Sequence, residues 1–147
     1  MNIEIIQVDN LEEIKNIIIQ FDKIFFPTLS SRIDDLKNYS KKLYDNAITI
    51  KAVSNNEILG FASFYCNDMN NHIAYLSQIA VKQEARGRGI GQMLLDEVIK
   101  TCITNGMREL NLEVYIENIN AMNLYKKNGF EKLRCATEAS IYMNKKI

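Results

Sequence analysis

The stretch Val81-Lys82-Gln83-Glu84-Ala85-Arg86-Gly87-Arg88-Gly89-Ile90-Gly91-Gln92-Met93-Leu94-Leu95 carries an apolar strand pattern through three alternate glycines into an amphipathic helix. A strand that feeds a helix through such a loop places the chain among folds that pack helices on a sheet. The same junction gathers bare backbone N–H groups and the positive end of a helix dipole at one point, an arrangement suited to phosphate. Gly87, Gly89 and Gly91 remove side chains where a ligand must approach main chain, and they admit positive φ. The N–H groups around Arg88, Gly89, Gly91 and Gln92 can converge on phosphate oxygens, and Arg86 and Arg88 add charge. One exposed charge at a helix end contributes only about 0.3–1 kcal/mol, so binding needs several donors together. The spacing is Gly-x-Gly-x-Gly, not the dinucleotide Gly-x-Gly-x-x-Gly, and no Gly-Lys-Ser/Thr follows as in a Walker loop.

A chain of 147 residues suits one domain, residues 1–147, around a single core. Eighteen Lys and Arg balance eighteen Asp and Glu, so no basic excess speaks for a nucleic-acid partner, and the Arg-Gly-Arg-Gly run passes straight into a helix. The N-terminus lacks the basic start and apolar segment of a signal peptide, and no apolar run is long enough to span a bilayer. Cys66, Cys102 and Cys135 are odd in number and read as free thiols of a reducing cytoplasm, so a cytoplasmic location without a membrane partner is expected. With His72 as the one histidine and the cysteines scattered, no metal is expected. Cys66 sits in a strand-like run and reads as core before it reads as a nucleophile served by His72.

Ile3–Val8 reads as a first strand, and Asp9 or Asn10 caps a helix with Leu11, Ile14, Ile17, Ile18 and Phe21 at helical spacing. After a break at Pro27-Thr28-Leu29-Ser30, Ser31-Arg32-Ile33-Asp34 predicts a capping box opening a second helix, with Ile33, Leu36, Tyr39 and Leu43 inside. Ala47–Val53 and Ile58–Tyr65 flank a hairpin signal at Ser54-Asn55-Asn56-Glu57, and His72–Val81 continues the meander. The helix after the glycine loop ends at Asn105-Gly106. Arg108–Tyr115 alternates as a strand, Asn118–Asn128 is a helix stopped by Gly129, and Phe130–Leu133 and Ser140–Met143 are closing strands. The order is β-α-α-β-β-β-α-β-α-β-β.

Two segments carry a family resemblance. Arg86-Gly87-Arg88-Gly89-Ile90-Gly91 matches the Arg/Gln-x-x-Gly-x-Gly/Ala motif of the GNAT superfamily of acyl-CoA-dependent N-acetyltransferases. The run from Leu112-Glu113-Val114-Tyr115 through Asn118, Ala121 and Leu124-Tyr125 to Gly129-Phe130 resembles that family's second signature. The resemblance implies the GNAT fold, an α/β (α+β) architecture. Its central mixed, mostly antiparallel sheet has about seven strands splayed between strands 4 and 5, with about four helices on its faces. It implies acetyl-CoA as acyl donor. The coenzyme pyrophosphate would lie on Arg86, Gly87, Arg88, Gly89, Ile90, Gly91 and Gln92, with Asn118 and Tyr125 also at the coenzyme. Ile79, Ala80 and Val81 would pair with pantetheine along the splayed strand edge, an N–H near Ile79 or Ala80 facing the thioester carbonyl.

Acetyl transfer needs a neutral amine, a stabilised oxyanion and a proton for the departing thiolate. Amines of pKa about 8–10.5 are mostly protonated at neutral pH, so some group must accept that proton. Tyr125 matches the family tyrosine beside the coenzyme sulfur and is the candidate acid, although it shares a helical face with Ala121 and Leu124 and fits a core position equally well. Many relatives carry a glutamate where this chain has Gln78, and an amide cannot take a proton in that role. Glu113, at a spacing similar to that of bacterial ribosomal-protein acetyltransferases, is the candidate base; Tyr75, Tyr115, Asp68, His72 or a water chain are alternatives. Asn118 is a coenzyme contact, a helix cap, or both.

The expected function is therefore an N-acetyltransferase acting on a primary amine of a small molecule, amino sugar or peptide N-terminus. The alternative is a non-catalytic acyl-CoA-binding regulatory module of the same fold. Acceptor choice in this family rests on Phe21–Tyr44 and Arg134–Tyr142, and the first of these holds the aromatic run Phe25-Phe26-Pro27-Thr28-Leu29-Ser30-Ser31-Arg32. Some relatives pair as dimers; a homodimer stays open, since no motif here demands it.

Overall fold

The computed structural model describes residues 2–25 and 27–147. Period-two alternation and turn residues divide them into β1 (Glu4–Gln7), α1 (Leu11–Phe21), a one-turn α2 (Leu29–Arg32), α3 (Leu36–Asn46), β2 (Ile48–Ser54), β3 (Glu57–Tyr65), β4 (Ile73–Val81), α4 (Ile90–Thr104), β5 (Glu109–Tyr115), α5 (Ile119–Lys127), β6 (Glu131–Cys135) and β7 (Ser140–Lys146). The seven strands form one sheet in the order β1-β2-β3-β4-β5-β7-β6. Only the central β4–β5 pair is parallel; the other neighbours are antiparallel. This is the expected mixed sheet with its break at the fourth and fifth strands.

Local chemistry sets the element ends. Asn10 caps α1, its side-chain oxygen accepting from the Glu13 N–H at 3.0 Å, while Asp9 instead accepts from Gln7. Asn55 and Asn56 both take positive φ, as a two-residue hairpin between right-twisted strands requires.

The second predicted helix is corrected. No capping box forms at Ser31, whose hydroxyl donates to the Thr28 carbonyl. α2 stops at Arg32, Ile33 is extended, and Asp35 caps α3 by accepting from both the Lys37 and Asn38 N–H groups. A carboxylate that satisfies two orphan amides sets the helix start more strongly than the Ser31 pattern. Among the described residues there are five α-helices, in line with the about four expected, the one-turn α2 being the addition. β7 also runs past Met143 to Lys146, because its polar end keeps pairing with β5, from Tyr115↔Ser140 to Glu109↔Lys146. Of the aromatic run before α2, Phe26 lies outside the described residues.

Two apolar layers cover the sheet. α1 and α3 press Ile14, Ile17, Ile18, Phe21 and Leu43 onto Phe61 of β3. On the other face α4 presses Leu94, Leu95 and Val98 onto Phe64, Leu110 and Leu112, and α5 adds Tyr125. Burying each such side chain contributes about 1.5–3 kcal/mol. Cys66 and Cys102 meet in the second layer with their sulfurs 3.4 Å apart as free thiols, and Cys135 is exposed.

β4 changes phase between these layers. Ser63 faces Gln78 while the next residue, Phe64, faces Leu76, so Ser77 is an extra residue, a β-bulge. Ala74 and Leu76 belong to the α4 layer; beyond the bulge Ala80 belongs to the α1 layer, and Ile79 and Val81 turn to the α4 side. The bulge re-aims the strand where it leaves β5.

Gly60 of β3 has no room for a side chain: a Cβ there would stand 2.7 Å from the Ala80 carbonyl oxygen and 3.2 Å from Leu94. Gly60→Ala is expected to cost about 1–3 kcal/mol by forcing β3 from β4. Urea denaturation measures it, and an unchanged midpoint would refute the close approach.

Candidate active site

The site begins where pairing stops. β4 and β5 pair from Ile73↔Glu109 to Leu76↔Leu112 and no further. Beyond that point Ser77–Val81 keeps β3 as its only strand neighbour, and Glu113–Tyr115 keeps β7. The facing edges of the split present main-chain donors and acceptors that no strand satisfies.

A cleft of about 690 Å³ opens from this split. Ile79, Ala80 and Val81 form one wall, Gly87 and Gly89–Gln92 the end, and Asn118–Ala121, Leu124 and Tyr125 the opposite wall. Gly87 and Gly89 take φ of 80° and 76°, and among the described residues no atom beyond their own chain neighbours lies within 4 Å of where either Cβ would stand. Here glycine is required twice, by the left-handed backbone and by the open space above it. Gly89 is the N-cap of the fifteen-residue α4 and supplies no capping side chain, and the first turn carries no acidic residue. The leading N–H groups of that helix are therefore left for an outside acceptor.

The predicted residues take different parts. Arg86 lines the cleft, its Nε donating to the Val81 carbonyl at 3.4 Å. Arg88 is exposed and is not part of the cleft wall. The Ile90 side chain is in the core, so only its backbone faces a ligand. The Gln92 amide is committed elsewhere: it donates to Asp96 and exchanges two hydrogen bonds, of 2.7 and 2.9 Å, with the Asn128 amide. That reciprocal pair ties the start of α4 to the end of α5, and the sequence reading missed it because Asn128 before Gly129 reads only as a helix stop. Asn118 proves to be a cap, accepting from the Ala121 N–H at 3.3 Å, and lines the cleft as well.

A smaller cavity of about 170 Å³ adjoins the cleft on the far side of the split. Phe25, Ile79, Asn118, Ala121 and Tyr125 border both spaces. Into the smaller one face Arg32, Tyr39, Tyr75, Gln78, Glu113 and Tyr115. Glu113 Oε2 accepts from the Ser140 hydroxyl at 2.6 Å, and that hydroxyl in turn accepts from Thr137 at 2.8 Å. Gln78 is 8% exposed and donates to the Tyr39 hydroxyl, which is also 2.7 Å from Ser77 Oγ of the bulge. Asp68 and His72, named as alternative bases, line neither space. Both Arg32 and Tyr39 lie in the Phe21–Tyr44 segment expected to govern acceptor choice, but patterning placed Tyr39 on a core face and singled out neither side chain for the cavity.

Tyr125 is 5% exposed, its ring 5.6 Å from that of Phe130, and among the described residues nothing accepts a hydrogen bond from its hydroxyl. Burial pushes its phenol above the ordinary range, and Tyr75 adds to the effect. Tyr75 is pushed up to about 12, by burial first and then by the Glu113 charge. Both phenols are protonated at neutral pH. Among the described residues, no group of three or more His, Cys, Asp or Glu is placed to hold a metal ion, and no helix is long and apolar enough to cross a membrane.

The profile of the acetyltransferase (GNAT) family matches residues 11–130. The chain belongs to the GNAT family. An uncharacterised N-acetyltransferase of Methanocaldococcus jannaschii is 35% identical over 82 residues, 53% of this chain and 36% of that protein. The thialysine N-epsilon-acetyltransferase of Bos taurus is 33% identical over 78 residues, 52% of this chain and 46% of the relative. The chain thus spans less than half the length of these curated relatives. Solved structures extend the likeness in fold to nearly every residue. A PaiA N-acetyltransferase of Thermoplasma acidophilum in complex with coenzyme A superposes with a TM-score of 0.77 at 21% identity, covering all of both chains. The ribosomal-protein-S18-alanine N-acetyltransferase of Escherichia coli gives 0.76 at 22%, covering 99% of this GNAT chain and 94% of the other.

The tyrosine shifts have a consequence for stability. Because burial raises the folded-state pKa of Tyr75 and Tyr125, the stability they contribute is complete below the unfolded value near pH ~10 and is lost as pH rises toward ~12. Denaturation midpoints between pH ~9 and ~12 are expected to fall, and to fall less in a Tyr75→Phe, Tyr125→Phe double variant. Equal profiles for the two proteins would contradict this.

Proposed function

We propose that this GNAT protein transfers the acetyl group of acetyl-CoA to a primary amine by direct attack within a ternary complex. The observation that carries the reading is the position of Tyr125, which borders both the long glycine-ended cleft and the small cavity beyond the split. The cleft fits the donor: open space over Gly87 and Gly89 and an uncapped helix start suit a diphosphate, and the bare edge of Ile79–Val81 suits the amides of pantetheine. The thialysine and ribosomal-protein-alanine acetyltransferases that this chain resembles differ in acceptor but share the acetylation of an amine.

Each residue then has a task. The Gly89–Gln92 amides hold the diphosphate and so fix where the thioester reaches. An N–H on the free edge of β4 stabilises the oxyanion that forms as the amine nitrogen adds to the carbonyl carbon. Glu113, its Oε2 steadied by Ser140, accepts the proton of the incoming ammonium directly or through water. As the C–S bond breaks, the Tyr125 hydroxyl gives its proton to the departing thiolate, and the phenolate regains one from the nitrogen, which loses its second proton as the neutral amide forms. Burial raises the pKa of that phenol, so it holds its proton until the thiolate forms beside it. Gln78 cannot act as base, and its hydrogen bond to Tyr39 makes it part of the cavity wall.

Release of free CoA thiol in the presence of primary amines tests the reading. Tyr125→Phe is expected to lower kcat by about a hundredfold or more while coenzyme affinity stays within about threefold. Wild-type turnover in that variant would remove Tyr125 from the mechanism.

A further inference from the structure

We propose that the acceptor is a zwitterion, a primary amine that also bears an oxyanion (carboxylate or phosphate), and that Arg32 is the residue that binds the oxyanion. The inference rests on the acetyl-transfer reading and names the class of amine taken at that same site.

Arg32 closes the one-turn α2 and faces the small cavity. Its guanidinium carbon lies 5.8 Å from the centroid of the Phe25 ring and 5.5 Å from that of Tyr115, and its Nε donates to the Pro27 carbonyl at 3.3 Å. Two rings and a carbonyl orient the planar group and leave its Nη donors for a bidentate partner. No ion pair among the described residues includes Arg32. Glu113 borders the same cavity and is likewise in none of those pairs; its hydrogen bond comes from the neutral Ser140. The other polar groups there do not supply the missing charges. Tyr39 and Tyr75 are both raised by burial and stay neutral, and Gln78 is an amide.

One cation and one anion thus face a space of about 170 Å³ without joining each other. An uncharged amine would leave the guanidinium without a counter-charge, and a diamine would bring a second cation against it. A ligand with an ammonium and an oxyanion answers both, the first toward Glu113 and the second toward Arg32. This orientation also delivers the amine to the group that must deprotonate it, beside Tyr125.

The test compares matched amines in the CoA-release assay, with rates expressed per unprotonated amine. Glycine against glycinamide and β-alanine against β-alaninamide examine carboxylate; phosphoethanolamine against ethanolamine examines phosphate. At least one anionic member is expected to exceed its neutral partner about tenfold or more in kcat/KM. Arg32→Gln should cut that preference by about tenfold, chiefly through KM, and Arg32→Lys should restore part of it. Arg32 is exposed, so folding is not at stake. If neutral amines are acetylated as well as their anionic partners, the zwitterion inference falls and acetyl transfer stands. A preference unchanged in Arg32→Gln overturns the role of Arg32. If no amine in the panel releases CoA, the acetyl-transfer reading falls and takes this one with it.

Discussion

Four paired positions, Ile73 to Leu76 against Glu109 to Leu112, hold the two halves of the sheet together, and the site exists because the pairing ends there. A parallel pair that continued would satisfy its own main chain and leave no edge for a ligand. The stop has a local cause. Ser77 is an extra residue in β4, and the bulge it makes turns the strand away from β5 while β3 continues to hold it. The cost of unpaired main chain at the centre of a sheet is the kind that persists where a ligand completes the structure. The apolar layers on both faces keep the halves in place: α4 spans β2, β3 and β4, and the Gln92–Asn128 pair fastens α4 to α5 across the gap.

From this geometry the division of labour follows. One side of the split ends in a helix start without acidic groups or a capping side chain, which favours an anion. The other side holds Glu113, Arg32 and three tyrosines, a space of mixed charge that favours a small polar molecule. Tyr125 stands between them, anchored on α5 by its own burial and by Phe130. On the proposed reading the donor would be held by main chain and glycine, and the acceptor by side chains of α2, α3, β4 and β5.

This difference explains what could be read from the sequence. The glycine loop, the alternation of β5 and the Asn118-to-Phe130 signature are local patterns with local causes, so the cleft and Tyr125 were legible in one dimension. Of the acceptor wall, the Phe21–Tyr44 segment and Glu113 were legible, but not which side chains of that segment meet Glu113. Arg32 and Tyr39 come from the consecutive helices α2 and α3 and Glu113 from the distant β5, and only the fold places them around one cavity. Even the local reading failed at Ser31, where the Asp35 carboxylate, satisfying two amides, moved the helix start to Leu36. The Gly60 contact and the phase change at Ser77 depend on register between strands, which spacing along a single strand does not carry.

The split and the uncapped start of α4 together form the proposed acyl-donor site. A crystal structure of the protein with coenzyme A tests it most directly. The diphosphate oxygens should lie within hydrogen-bond distance of main-chain N–H groups between Gly87 and Gln92, with pantetheine running beside Ile79–Val81 and its sulfur next to the Tyr125 hydroxyl. Coenzyme bound elsewhere on the surface, with the gap between β4 and β5 left to water, would contradict it.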